Sequence, residues 1–133
     1  NVLMKTNGDI PHCVVFDFGH SRRITDKIYS KLGKPFYRGP ETFSARRWRS
    51  MRGSWDKQDS FSLGVLMYGV ITKLFPFETS DFDDPYWNNL KRNDRGAPPL
   101  SDIPDGYRGI LYELTRQNPQ DRTDITDLIQ SFV

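Results

Sequence analysis

The chain has 133 residues, one domain's worth, and its 36% apolar and 14% aromatic content suits a packed core and excludes a disordered chain. Its mean hydropathy of −0.67 goes with a very polar surface or long loops. The single Cys13, with only His12 and His20 for company, excludes an intrachain disulfide and a Cys/His metal cluster. The net charge of +2 conceals a division: between His20 and Arg52 ten basic residues face only Asp26 and Glu41, giving +8, so the remaining residues sum to −6. Such asymmetry marks a surface that meets anions.

In chain order, Val2 to Met4 and Cys13 to Phe16 read as two short strands of a hairpin, with Asn7-Gly8 as the turn nucleus and Pro11 ending a slightly long loop. The apolar neighbours of Cys13 place its thiol, reduced, in a core. Asp17 stands between Phe16 and Phe18 where the second strand runs out, and a carboxylate among apolar residues is costly unless a cation, a donor or solvent meets it. A strand bending into a turn at Gly19 is the ordinary explanation. From His20 to Arg38 the chain is basic and without period, a loop longer than structural connections usually are.

Asp59 to Leu74 carries apolar residues on every side of a helix, from Phe61 and Leu63 to Val70, Ile71 and Leu74. That pattern implies the most buried helix of the domain, stopped by Pro76. The stretch is too interrupted for a membrane span. An acidic loop (Glu78, Asp81, Asp83, Asp84) follows, then a short helix over "PYWNNLKR", an irregular "GAPPLSDIP", an amphipathic helix through Tyr107, Ile110, Leu111 and Leu114, and a last helix through Ile125, Leu128, Ile129 and Phe132. The chain begins at Asn1 with no leader before the first strand, and is expected to be a piece of something longer.

Five signals fall in one order: "NVLM" at 1–4, "FDFG" at 16–19, "KPFYRGPE" at 34–41, "DSFSLGVLMYGV" at 59–70 and "NPQDR" at 118–122. In this the chain resembles the C-terminal lobe of a eukaryotic-type protein kinase, more like the serine/threonine branches than the tyrosine ones, over essentially all its residues. The resemblance implies a mainly α fold, a kinase C-terminal lobe with a short N-terminal β-hairpin and no N-terminal lobe. It divides the 133 residues into a metal-binding hairpin (1–19), an activation segment (20–41) and a helical part (42–133). It further implies that Asp17, followed by Phe18 and Gly19 of the D-F-G, holds Mg2+ on the phosphates of ATP, and that Asn1 holds a second metal ion.

By the same resemblance Glu41 pairs with Arg122 at the start of the last helix, and Asp59 caps the backbone of a catalytic loop, although an aspartate there is also an ordinary helix cap. Thr25, Tyr29 and Ser30 become candidate phosphorylation sites, beside Arg22, Arg23, Lys27 and Lys31. No H-R-D occurs, so the catalytic base would lie upstream of Asn1 and this stretch alone would be inactive. Lys34 departs from the family, standing where a threonine is common, and keeps open a pseudokinase or scaffolding module on the same fold. A helical interaction domain of other ancestry requires every ordered motif to be accidental. The expected partners are ATP and a protein substrate, acidic peptides being favoured by the basic loop, with neither nucleic acid nor membrane. The expected setting is intracellular, cytoplasmic with the nucleus included.

Overall fold

A computed structural model describes residues 1–26, 33–44 and 55–131. Strands β1 (Val2–Asn7) and β2 (Ile10–Val15) pair antiparallel, Val2 opposite Val15 and Asn7 opposite Ile10. The turn is therefore Gly8-Asp9 and only two residues long, not a longer loop on Asn7-Gly8. Gly8 has φ +70° and Asp9 is not in the left-handed region, the pattern of a turn whose first central position wants glycine. Pro11 does not end the turn. It sits within β2 opposite Thr6, tolerated because a two-stranded ribbon has an outer edge where no N–H is needed. Every hairpin residue is exposed, so Cys13 is no core thiol: it faces solvent with its Sγ 3.3 Å from Met4 Sδ across the strands.

Four α-helices occur among the described residues: α1 (Asp56–Thr72), α2 (Pro85–Lys91), α3 (Asp105–Leu114) and α4 (Ile125–Ser131). Helix α1 starts with Asp56 and Asp59 in its first turn, favourable to the helix dipole, and stops where Lys73 turns left-handed (φ 65°) and its N–H closes on Gly69 O at 2.9 Å. Pro76 lies beyond this cap and does not form it. Helix α2 follows Asp84, whose Oδ1 accepts the N–H groups of Tyr86 and Trp87, both at 3.0 Å, while its Oδ2 accepts those of Glu78 and Thr79. One buried carboxylate thereby satisfies four backbone donors and folds the acidic loop onto the helix.

The core gathers Phe61, Val65 and Tyr68 of α1 with Phe77, Trp87, Leu90, Leu100, Ile103 and Leu111. Phe61, Phe77 and Trp87 pack as a triad of rings 5.5 to 6.0 Å apart. Helix α3 lies directly on α1 at Gly64, where an added Cβ would stand 2.8 Å from Thr115 Cγ2 and 3.1 Å from Leu114 Cβ. Tyr68 donates its hydroxyl to Asp102 Oδ2 at 2.8 Å, and burial first, then that bond, raises its pKa.

Two expectations about burial change. Helix α1 is not covered all round: Val65 and Phe61 have no exposure, Leu63 and Leu66 are half-buried and Val70 is 64% exposed. Leu74 lies outside the helix and is 65% exposed. Periodicity reports which residues are apolar, not what stands opposite them. In α3, Leu111 and Leu114 are buried but Tyr107 is 46% exposed, and α4 buries none of its residues. Phe132 lies outside the described residues. Among the described residues no helix is long and apolar enough to cross a membrane.

Candidate functional site

The 34–41 stretch is riveted to α1. Gln58 donates from Nε2 to Tyr37 O at 3.0 Å and accepts the Gly39 N–H on Oε1 at 2.8 Å, and Ser62 Oγ donates to the same Tyr37 O at 2.9 Å. From the other side Ser80 Oγ donates to Arg38 O at 2.7 Å, and Thr42 Oγ1 to Gly39 O at 2.8 Å. Short 3-10 turns at Pro35–Tyr37 and Pro40–Phe43, each opened by proline, give the segment its kinks. With these carbonyls and the Gly39 N–H bonded to side chains of α1, Ser80 and Thr42, the segment forms a platform tied to the helical core. Gln58, Ser62 and Ser80 escaped the sequence reading because their partners are 19 to 42 residues away.

At the end of this platform Glu41 meets Arg122. Nη1 lies 2.8 Å from Glu41 Oε1 and Nη2 2.6 Å from Oε2, with side-chain exposures of 0% and 3% for arginine and glutamate. Arg122 also donates from Nε to Arg116 O and from Nη1 to Lys57 O, each at 2.8 Å, and its guanidinium lies 4.9 Å from the Phe61 ring centre. Arg122 does not open the last helix; it follows the 3-10 turn Pro119–Asp121, three residues before α4.

At the other end lies Asp17. Phe16 N–H donates to Asn1 O at 3.0 Å, so the hairpin pairing runs on past Val2 and puts Asn1 opposite the residue before Asp17. Asp17 itself has φ 63°, a conformation that aspartate tolerates better than most residues but still at a cost. Its Oδ1 accepts one long bond, 3.3 Å, from Gly19 N–H, and no cation pairs with it among the described residues. Phe18 is 65% exposed.

Asp17 and Asp59 line one cavity of about 430 Å³ between the loop and the first turns of α1, together with Arg22, Arg38 and Asp56. Asp59 is not the first residue of the helix but its fourth. Asp59 is exposed, and its carboxyl has no hydrogen bond among the described residues; the protein crowding its inner side first, then the charge of Asp56, raises its pKa, an effect that the solvent on its open side weakens. Thr25 is exposed at the tip of a turn that Asp26 closes by accepting the Arg23 N–H at 2.9 Å. Tyr29 and Ser30 lie outside the described residues. The structure thus sets Asn1 opposite Phe16, the neighbour of Asp17, places Asp17 and Asp59 along one cavity that Asn1 does not line, and joins Glu41 to Arg122.

A family model described as a protein kinase domain matches residues 1–133. Curated relatives include a putative ribosomal protein S6 kinase alpha-1 from Caenorhabditis elegans, 37% identical over 92% of this chain and 14% of its own length. A probable serine/threonine-protein kinase MARK-C from Dictyostelium discoideum is 31% identical over 96% of this chain and 15% of its own. The serine/threonine-protein kinase Nek5 of Mus musculus is 27% identical over 98% and 20% respectively. The chain therefore spans a fifth or less of the length of these three relatives.

Proposed function

Because this chain belongs to the protein kinase family, we propose that it forms the C-terminal, metal-holding and substrate-facing part of a serine/threonine kinase domain that moves the γ-phosphate of ATP to a protein hydroxyl. The observation that carries this reading is the Asp17 carboxylate, set in left-handed backbone at a hairpin end, held by one long hydrogen bond and open to the cavity it shares with Asp59. Relatives named as serine/threonine kinases support the choice of acceptor.

The residues present fit Mg2+. That ion takes one or two protein oxygens and leaves its other positions to water and phosphate, and Asp17 with Asn1 offers a carboxylate and an amide oxygen on adjacent backbone. When bound, the metal neutralises charge on the nucleotide phosphates. The chain's own share is positional: Asp17 holds, and the 34–41 platform presents the acceptor. The acceptor oxygen displaces ADP at the γ-phosphorus and its proton passes to a base. No H-R-D supplies that base within these 133 residues, so this stretch alone would not turn over.

The exposed Lys34, where related kinases commonly carry threonine, favours a second reading, a pseudokinase that binds and scaffolds. The test is peptide phosphorylation by the whole protein with Mg2+ and ATP. Asp17→Asn, which keeps size and shape, should lower the rate by at least about a hundredfold with the melting temperature held. A fully active variant overturns the metal role, and a wild type that transfers phosphate to no Ser/Thr peptide leaves the pseudokinase.

A further inference from the structure

Four ion pairs occur among the described residues, and they involve Lys57, Arg108, Arg116 and Arg122. Arg38 is not among them, although it is half-buried and lines the cavity that also contains Asp17, Asp56 and Asp59. Its Nε is sealed from solvent with no hydrogen-bond partner. One face of its guanidinium lies against Phe43, 4.6 Å from the ring centre. Its backbone is pinned at both ends, by Arg38 N–H on Pro35 O at 3.1 Å and by Ser80 on its carbonyl. The two Nη groups have no acceptor among the described residues and are not sealed as Nε is.

A guanidinium stays charged at any working pH, and partial burial without a counter-ion raises the worth of an anion that reaches it. With one face covered by Phe43, what remains is the edge, where two Nη groups take the two oxygens of a carboxylate in plane. We propose that Arg38 selects the substrate by receiving an acidic side chain of the protein to be phosphorylated; this rests on the kinase reading above. The cavity's own charges narrow the ligand. Asp17, Asp56 and Asp59 outnumber Arg22 and Arg38, so a phosphate carrying close to two charges meets more repulsion there than a lone carboxylate does. The charge count of the loop pointed to acidic partners without naming a residue; several of its cations lie outside the described residues, and among the described ones Arg38 is held by Phe43 and Ser80 with its side-chain donors unused.

The experiment is a scan of a neutral Ser peptide in which one position at a time carries Glu or Gln, phosphorylated by the whole protein and read as the Glu/Gln ratio of kcat/KM. One position should give a ratio of about tenfold or more, as expected for a hydrogen-bonded charge pair. Arg38→Leu should bring that ratio to about one and Arg38→Lys should keep part of it, because a point charge lacks the fork. Since a ratio is read, any loss of folded protein cancels. No preferred position, or a preference that survives in Arg38→Leu, overturns the proposal. If no peptide is phosphorylated, the kinase reading fails instead; fluorescence anisotropy of the labelled Glu and Gln peptides then decides, equal affinities overturning the role of Arg38 and an Arg38-dependent difference supporting it. A phosphatase arm separates the other source of an oxyanion: if treatment lowers the melting temperature of the wild type but not of Arg38→Leu, and no Glu preference exists, the occupant is a phosphate of this chain's own loop and the proposal is wrong.

Discussion

Arg122→Ala removes a guanidinium that makes four hydrogen bonds, two to Glu41 and one each to the carbonyls of Lys57 and Arg116. What remains is a carboxylate 2% exposed with no cation, and the cost of stranding one charge of a buried pair is about 3 to 5 kcal/mol. For a domain of this size that corresponds to a fall of about 10 to 20 °C in melting temperature. Calorimetry of the whole protein, following the transition that Arg122→Ala displaces, measures it. The control is the Arg108–Asp105 pair, equally short at 2.7 Å but with the Asp105 side chain 89% exposed. Asp105→Ala should cost at most about 1 kcal/mol, because water already screens that pair. Replacing both buried partners, Glu41→Leu with Arg122→Met, should cost less than Arg122→Ala alone, since no charge is then left inside. If Arg122→Ala and Asp105→Ala prove equal, burial does not govern the pair and the reasoning fails.

Gly64→Ala should destabilise by about 1 to 3 kcal/mol, because its Cβ would stand 2.8 Å from Thr115 Cγ2 and push α3 off α1; an unchanged denaturation midpoint would show that the helices separate freely. Asp59→Asn should stabilise slightly at neutral pH, water screening much of the effect at this exposed carboxyl. The folded-state pKa of Asp59 is raised, so the folded protein binds the proton more readily, stability falls as pH rises from the ordinary aspartate value of about 3.9 through the raised one, and the advantage of Asn closes on acidification. Melting curves of both proteins from pH 7 down to pH 3 would refute this if the gap widened as pH fell.

Apolar spacing located α1, α2 and α3 to within about three residues, because a helix writes its period locally. Coverage is not local. The apolar flanks of Cys13 and the all-round pattern of 59–74 said what those residues prefer, but the hairpin and Val70 stand in solvent. The turn moved from Asn7-Gly8 to Gly8-Asp9 for a similar reason, since strand register is settled by pairing along the ladder. Glu41 and Arg122 are 81 residues apart, and only the order of family motifs linked them. Gln58, Ser62 and Ser80, which fix the platform, look like ordinary surface polar residues in the sequence.

Arg122 and Arg38 show what separates a structural cation from a reserved one. Both are planar cations laid against an aromatic face, Arg122 on Phe61 at 4.9 Å and Arg38 on Phe43 at 4.6 Å. Both leave their edges for in-plane acceptors. Around Arg122 the fold supplies those acceptors, a carboxylate and two carbonyls, and so fixes where the platform ends. Around Arg38 the described residues supply none, although three aspartates line the same cavity. Asp59 in that cavity has likewise no cation or donor among the described residues, and its pKa is raised. A fold that joins Glu41 to Arg122 across 81 residues has the means to neutralise such groups, and leaving opposite charges apart within one cavity costs stability that a ligand meeting them recovers.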